Sequence, residues 1–575
     1  IIPMADDTID TKLNKRETYK ARLRPFDYFA EFDSIDFESL GEGDRFYLQD
    51  FGIFNTSFLE DEFTLRLRIA GGRITPEQFL LIANVVEQYD LKIILTARAG
   101  IQLHDIEAEN LHDIWNKLNT EGLTSWQSFG DNIRNIVTDV FDGKSKSSKI
   151  EVYPIIKKMQ EYILKNPRYV GMLPRRVSIG ISGNIKNVSS FFANDIYFAL
   201  AQKDGIFGFN VYMGGKNTDV AKSANIFLHD NEVFDFFKAF VEAFYLHGSR
   251  YSRSKTRLIY LIEDIGMDGL KKHIQTEYKK EFRSEGEITL EKGKFEQYEE
   301  LNDGSFSYAY HTDFSRLCTK EMKDFANFAI KNGSEIRIGI DQNLYLLGLK
   351  NKSAPFSSTK QSSTVVACAG NLCPYAVWSI KDETAYTPLD KIEEHQISVG
   401  FSGCAKGCGR HFHSDIGLIG LKTNNFGDTD GGARIFLGAE HSLGKSTARM
   451  IFSMVPFVHL HDTLSLIIEI FEKSEYTNFE EYSKNILNKY SAEFLAIWYL
   501  ANIESKQSLA LQKQEKMNDF EFEKEYLLEN FSQLDSLKNI EDRFFNTIST
   551  MSKKLWTIEG EDPHYVAPMK RVNFR

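Results

Sequence analysis

The chain has 575 residues, more than one compact domain usually holds, and 42% of them are hydrophobic, enough for several cores. Its formal charge of −12 argues against nucleic acid as a partner. No apolar run is long enough for a membrane span, and the opening IIPMADDTIDTKLNKRE lacks the apolar stretch of a signal peptide, so a soluble cytoplasmic protein is expected, with Met4 as its natural start.

In chain order, TLRLRIAGGRIT alternates in strand fashion and sets Arg66 and Arg68 before a glycine turn. TPEQFLLIANVVEQYDLKIILTARAGIQL, from Thr75, reads as an amphipathic helix, a turn and a strand, and leads through Arg98 and Gln102 to His104. Arg134 lies in DNIRNIV, and Arg175 and Arg176 precede the strand VSIGISGN that carries Ser178. GFNVYMGGK ends a strand on Gly214 and Gly215, which suits close approach of backbone to a ligand. Arg253, Lys255 and Arg257 run through RYSRSKTRLIY. From Thr319, TKEMKDFANFAIKNGSEIRIGIDQNLYL repeats the helix–strand pattern and reaches Gln342. ISVGFSGC repeats VSIGISGN at an offset of 220, and Asp415 follows Asp195 at the same offset. Beyond about residue 490 the chain becomes highly charged with helical spacing, which suggests a solvated amphipathic helical extension, the alternative being one that packs on the core, dimerises or docks a donor.

Both halves therefore run in one order, a helix–strand unit and then a Ser-Gly unit, as in a duplicated α+β protein with pseudo-twofold symmetry. The copies differ where chemistry is expected. Cys404 of the second stands where the first has Asn184.

Of five cysteines, four form two close pairs, CAGNLC (Cys368 and Cys373) and CAKGC (Cys404 and Cys408). Two tight Gly-flanked pairs suit either a 4Fe–4S cluster, one thiolate per iron, or a four-cysteine zinc site. Cys318 lies outside the pairs and is expected to be an inert core thiol. A lone arginine is commonly a solvated surface charge. The arginine groups here sit beside glycine turns and strand ends, and together they suit a polyanionic ligand held by guanidinium forks. His104, His411 and His413 are read as packing or hydrogen-bonding residues before ligands.

These segments resemble the sirohaem- and 4Fe–4S-containing sulfite/nitrite reductase haemoprotein family over about residues 44–490. SGCAKGCGRHFHSDIGLIG is the most specific piece, similar to the family's Cys-Pro-Asn-Gly-Cys and the Ile-Gly-Leu strand after it. CAGNLC resembles the first cysteine pair, and LRLRIAGGRIT, LTARAGIQLH, GDNIRNIV, LPRRVSIG and GFNVYMGG match family blocks in family order. The resemblance implies a 4Fe–4S cluster on Cys368, Cys373, Cys404 and Cys408, the last shared with the sirohaem iron. It implies that Arg66, Arg134, Arg176 and Ser178 face the substrate. Arg98, Gln102, His104, Gly214, Gly215, Arg253, Arg257 and Gln342 match positions near the sirohaem or its carboxylates. The chain departs from the family in having four residues inside the first cysteine pair, Ala405 and Lys406 in place of Pro-Asn, and Ile259 where lysine is common.

The implied fold is an N-terminal arm (1–43), a ferredoxin-like half-domain (44–115), a sirohaem-binding α/β domain (116–285), a second half-domain (286–355), a cluster-bearing α/β domain (356–490) and a helical extension (491–575). The implied activity is six-electron reduction of sulfite, with nitrite as the alternative. A non-catalytic protein with a structural four-cysteine metal, and the related corrin-biosynthesis oxygenase branch, are the remaining readings. No Rossmann or flavin fingerprint is present, so an external donor such as ferredoxin or a flavoprotein is expected.

Overall fold

The computed structural model describes residues 13–356, 364–376, 387–422, 431–515 and 520–531. Met4, the first part of the expected arm and the end of the expected extension lie outside them. The described chain forms two compact units, residues 13–216 with 220–356, and residues 217–219 with 364–531.

In the first unit the helix–strand repeat is explicit. Thr75 caps the helix Pro76–Gln88 through a reciprocal pair with Gln78, and Pro76 occupies the first turn, where its missing N–H costs nothing. At an offset of 243, Cys318 caps the helix Thr319–Asn332, its N–H donating to Glu321 at 2.7 Å. Cys318 is therefore an exposed cap residue and not the core thiol expected, because it stands where its copy has Thr75. Both helices bury one face, with Phe79 meeting Phe325 edge-on in a shared core.

Each half-domain sheet lends the other a strand. Ile53–Thr56, Leu59–Leu67, Ile101–Ile106 and Lys92–Leu95 pair in that order and accept Arg316–Leu317 from the second half. Phe306–Tyr310, Leu344–Leu349 and Glu335–Ile338 accept Arg73–Ile74 from the first. The exchange is reciprocal and covers one edge of each sheet. It needs close backbone approach at Gly72, where a Cβ would stand 2.1 Å from the Ile338 carbonyl oxygen.

The Ser-Gly repeat gives one parallel strand pair in each unit. Ile179–Ser182 pairs with Ile196–Ala199, and Val399–Ser402 pairs with Ile416–Ile419, every partner displaced by 220 residues. Antiparallel strands extend both sheets. The helices Val233–His247 and Phe457–Glu472 are apolar around much of their circumference, and each buries a row of large side chains.

Of the expected extension, residues 491–515 and 520–531 are described, and they pack against the second unit; the remainder lies outside the described residues. The helix Ala492–Ser505 packs on the strand Arg449–Pro456 and the helix Phe457–Glu472 within the second unit. Phe494, Trp498 and Tyr499 are fully buried, and Tyr490, Phe494, Trp498 and Tyr526 form an aromatic stack. The charges that dominate the composition stand on other faces or beyond the described residues. Among the described residues, no helix is long and apolar enough to cross a membrane.

The short helix Lys15–Arg22 docks by charge as well as by contact. Lys20 is fully buried and donates to Glu17 at 2.7 Å and to the Leu173 carbonyl at 2.7 Å, with Asp131 at 2.9 Å. Glu17 also meets Arg250, and Asp131 meets Arg253. Removing one charge from such a network strands its partners without water. Lys20→Met is expected to lower the unfolding free energy by about 3–5 kcal/mol, read from urea denaturation midpoints. A change below about 1 kcal/mol, the range of exposed pairs, would show that the network contributes little.

Candidate active site

The arginines of the first unit converge, as their sequence contexts suggested. The guanidinium of Arg134 is held well below its ordinary pKa, first by burial and then by the charges of Arg176, Arg66 and Arg98. Its Nη1 donates to the Ser128 carbonyl, and its Nε is buried with no hydrogen-bond partner. Arg66 lies 3.9 Å above the centroid of the Phe129 ring, and Arg134 is 5.8 Å from the same centroid. The strand Leu59–Leu67 supplies Arg66, and Arg98 comes from the loop after Lys92–Leu95.

A relay orients Arg66. Its Nε and Nη2 both donate to Gln102 Oε1, at 3.2 and 2.9 Å. With that oxygen taken, Gln102 Nε2 donates to His104 Nε2 at 2.9 Å. His104 then carries its proton on Nδ1 and donates to Thr64 Oγ1 at 3.3 Å, a tautomer assigned by the network. Gln342 joins the neighbouring turn, donating to the Leu95 carbonyl with its own backbone in the left-handed region. Gly215 is required by close approach, since a Cβ there would stand 2.2 Å from the Asn194 carbonyl oxygen.

Other expected site residues have structural partners. Both the N–H and the hydroxyl of Ser178 donate to Asp195 Oδ2 at 2.7 Å. Arg257 donates to Asp195 Oδ1 at 2.7 Å, although its buried Nη1 has no hydrogen-bond partner. Arg253 forks onto Asp131 at 2.7 and 2.8 Å. Arg68 is buried and donates to three carbonyls, those of Gln127, Ile133 and Arg134. Phe129 and Asp131 were not singled out from sequence, although GDNIRNIV contains Asp131 and follows Phe129 directly. An aromatic and an acid beside a conspicuous arginine were the available signal.

In the second unit the four paired cysteines affect one another. Burial pushes the Cys368 thiol up to about 12, with Cys408 and Cys373 adding to it. Cys404 is raised by burial, then by Cys408, Cys373 and Cys368. Cys368 Sγ accepts the N–H groups of Gly370 at 3.3 Å and Gly403 at 3.1 Å. Gly409 lets the loop turn against the strand, since a Cβ would lie 1.7 Å from the Phe401 carbonyl oxygen. On the same loop His411 is buried and kept neutral, its pKa lowered to about 3 by burial, with Nδ1 on Ser402 Oγ at 2.8 Å.

The first copy cannot repeat this chemistry. Asn184, the counterpart of Cys404, donates to Asp139 Oδ1 at 2.8 Å.

A "Nitrite/Sulfite reductase ferredoxin-like half domain" profile matches residues 59–120, and a "Nitrite and sulphite reductase 4Fe-4S domain" profile matches residues 129–282. The ferredoxin–nitrite reductase of Synechococcus elongatus is 28% identical, over 81% of this chain and 99% of its own length. The assimilatory ferredoxin-dependent nitrite reductase of Haloferax mediterranei is 27% identical, over 80% of this chain and 89% of its own. The chain belongs to the nitrite and sulfite reductase family. The NirA protein of Mycobacterium tuberculosis shares the fold, with a TM-score of 0.75 at 22% identity over 82% of this chain and 96% of that one. The duplicated nitrite and sulfite reductase fold is thus the architecture, and the chain is an oxidoreductase with a sirohaem and a 4Fe–4S cluster. Its residues fit both groups. Convergent arginines with the unpartnered Arg134 Nε suit a carboxylate-rich tetrapyrrole and a small anion, and four coupled thiols with backbone N–H donors suit the cluster. The 4Fe–4S-domain profile covers the first copy of the repeat, the one without the paired cysteines.

Burial raises the Asp139 carboxyl to about 7, so the folded state keeps a proton that the unfolded chain releases from about pH 4 upward. Its contribution to stability therefore falls as pH rises through that window. Asp139→Asn is expected to remove the fall, shifting the variant-minus-parent difference by roughly 2–4 kcal/mol between pH 5 and pH 8. Denaturant midpoints at the two pH values measure it, and parallel profiles would contradict the assignment.

Proposed function

We propose that the chain reduces nitrite to ammonia, with electrons from a ferredoxin-type protein. Supporting this substrate over the sulfite expected from sequence, the relatives that align along most of their length are named as ferredoxin-dependent nitrite reductases. Supporting the site, Arg134 is a buried cation whose charge is disfavoured by three neighbouring arginines. An anion placed among them relieves that repulsion, so the site favours small anions electrostatically.

In this reading Cys368, Cys373, Cys404 and Cys408 would hold the 4Fe–4S cluster. Arg98 would hold a sirohaem carboxylate, while Arg257 is committed to Asp195. Sirohaem and cluster, when bound, supply the electron transfer that takes nitrite to ammonium with six electrons, eight protons and release of two waters. Arg66, Arg134 and Arg176 bind the anion and stabilise negative charge on its oxygens as N–O bonds break. The Gln102–His104–Thr64 relay holds Arg66 in place, so its guanidinium needs little reorganisation when the anion arrives. Phe129 stacks under Arg66 and leaves fewer water positions around the cation. Ser178, occupied with Asp195, acts on the substrate only through the strand it anchors.

Two measurements test the reading. With a reduced artificial donor, kcat/KM for nitrite is expected to exceed that for sulfite by at least about tenfold, a ratio set by differential transition-state binding. Equal or reversed values would overturn the nitrite assignment. Arg134→Ala is expected to lower kcat/KM by about 10²–10³ while the visible spectrum and iron content stay those of the parent. Unchanged turnover in that variant would remove Arg134 from the substrate site.

A further inference from the structure

The second unit holds a group of ligating side chains that the reaction does not use. Asp415, His441 and Glu480 each bring a ligand atom within 4.8 Å of the other two, and Asp415 and His441 are buried. His441 Nε2 is their meeting point, 3.3 Å from Asp415 Oδ1 and 3.6 Å from Glu480 Oε2, with Ser398 Oγ also at 3.3 Å.

These separations are long for charged hydrogen bonds, which close to about 2.7–2.9 Å. One N–H also cannot point at three acceptors. Donors bound at about 2.0–2.2 Å around one tetrahedral ion stand roughly 3.3–3.6 Å apart, as His441 Nε2 does from each carboxylate oxygen, and the two oxygens lie within 4.8 Å of each other. The carboxylates are braced by neighbouring donors: Asp415 Oδ2 accepts Ser398 N and Oγ, both at 2.9 Å, Glu480 Oε1 accepts Ser442 N at 2.8 Å, and Glu480 Oε2 accepts the Ser442 hydroxyl at 2.5 Å.

The duplication supplies an independent argument. In the first unit Ser178 clamps Asp195 in the same way, and the second oxygen of that carboxylate faces the permanent cation of Arg257 at 2.7 Å. In the second unit an imidazole stands against the equivalent oxygen, and a further carboxylate is added. The carboxylate that one copy pairs with a guanidinium has, in the other, the donors of a metal ion.

We propose that Asp415 Oδ1, His441 Nε2 and Glu480 Oε2 bind a divalent transition-metal ion, zinc by its taste for mixed nitrogen and oxygen donors, with water in the fourth position. The ion is structural. It ties the strand Ile416–Lys422, the turn after Gly431–Leu437 and the helix Phe479–Asn485 together, as Arg257 secures the first copy.

Purified holoenzyme of known iron content is incubated with zinc chloride, desalted and analysed for metals. About one zinc per chain is expected in the parent, and at least about tenfold less in Glu480→Gln and His441→Arg. His441→Arg copies the guanidinium of the first unit, so it is expected to fold without the ion. EDTA is expected to lower the melting temperature of the parent and not that of His441→Arg. If one variant fails to fold, the other supplies the comparison. Zinc retention in the parent no greater than in the folded variant, or equal EDTA shifts in both, would overturn the site.

Discussion

One serine–aspartate clamp sets the register of the strand pair on which each unit is built. In the first unit Asp195 Oδ2 takes both the N–H and the hydroxyl of Ser178, the Asp195 N–H returns to Ser178 Oγ, and Ile196 N–H closes on the Ser178 carbonyl. At an offset of 220, Asp415, Ser398 and Ile416 make the same four bonds. Parallel pairing offers evenly spaced, slanted bonds that do not by themselves forbid a slip. A buried carboxylate that accepts from one specific N–H and one specific hydroxyl does forbid it, because a slip would strand the charge. With register held, the residues leaving the strand ends have defined places: Arg176 before the first strand, and Cys404 after its counterpart.

Cations in the first unit are of two kinds, and the distinction carries the functional reading. Arg253, Arg257, Arg250 and Lys20 have carboxylate partners at 2.7–2.9 Å, and buried pairs of this kind hold the fold. Arg134 instead has arginines for neighbours, and its burial and theirs act in the same direction against its charge. A folded chain tolerates such repulsion where a ligand relieves it, and perturbed groups of this kind concentrate at functional sites.

Much of this was legible in the sequence. The duplication showed itself because strand alternation and helix spacing survive in both copies, and the structure returns the offsets of 220 and 243 as strand pairings and helix caps. Arg66, Arg98, Arg134 and Arg176 were readable as a set, from their contexts beside turns and strand ends, although sequence could not show that they converge. What could not be read was which arginines are already neutralised. Asp131 lies 122 residues from Arg253 and Asp195 lies 62 from Arg257, separations that carry no periodic signal. The residues after 490 misled for a different reason. Composition averages over faces, and the aromatic stack of Tyr490, Phe494, Trp498 and Tyr526 is diluted by the charged residues around it.

Duplication also explains why the two chemistries sit on different copies. Four thiolates and four guanidinium groups in one compact unit would pair with each other, and neither set would be left for its ligand. Divergence of equivalent positions avoids this. Asn184 replaces a thiol with a neutral amide and turns it onto Asp139, so the arginine-bearing copy keeps no competing thiolate there. Against the same oxygen of the two clamped aspartates, the first copy sets Arg257 from the turn before Leu258–Tyr278, and the second sets His441 from the turn after Gly431–Leu437. The clamp beneath both positions is unchanged, so the fold can hold register constant while the charge at its strand ends is reassigned.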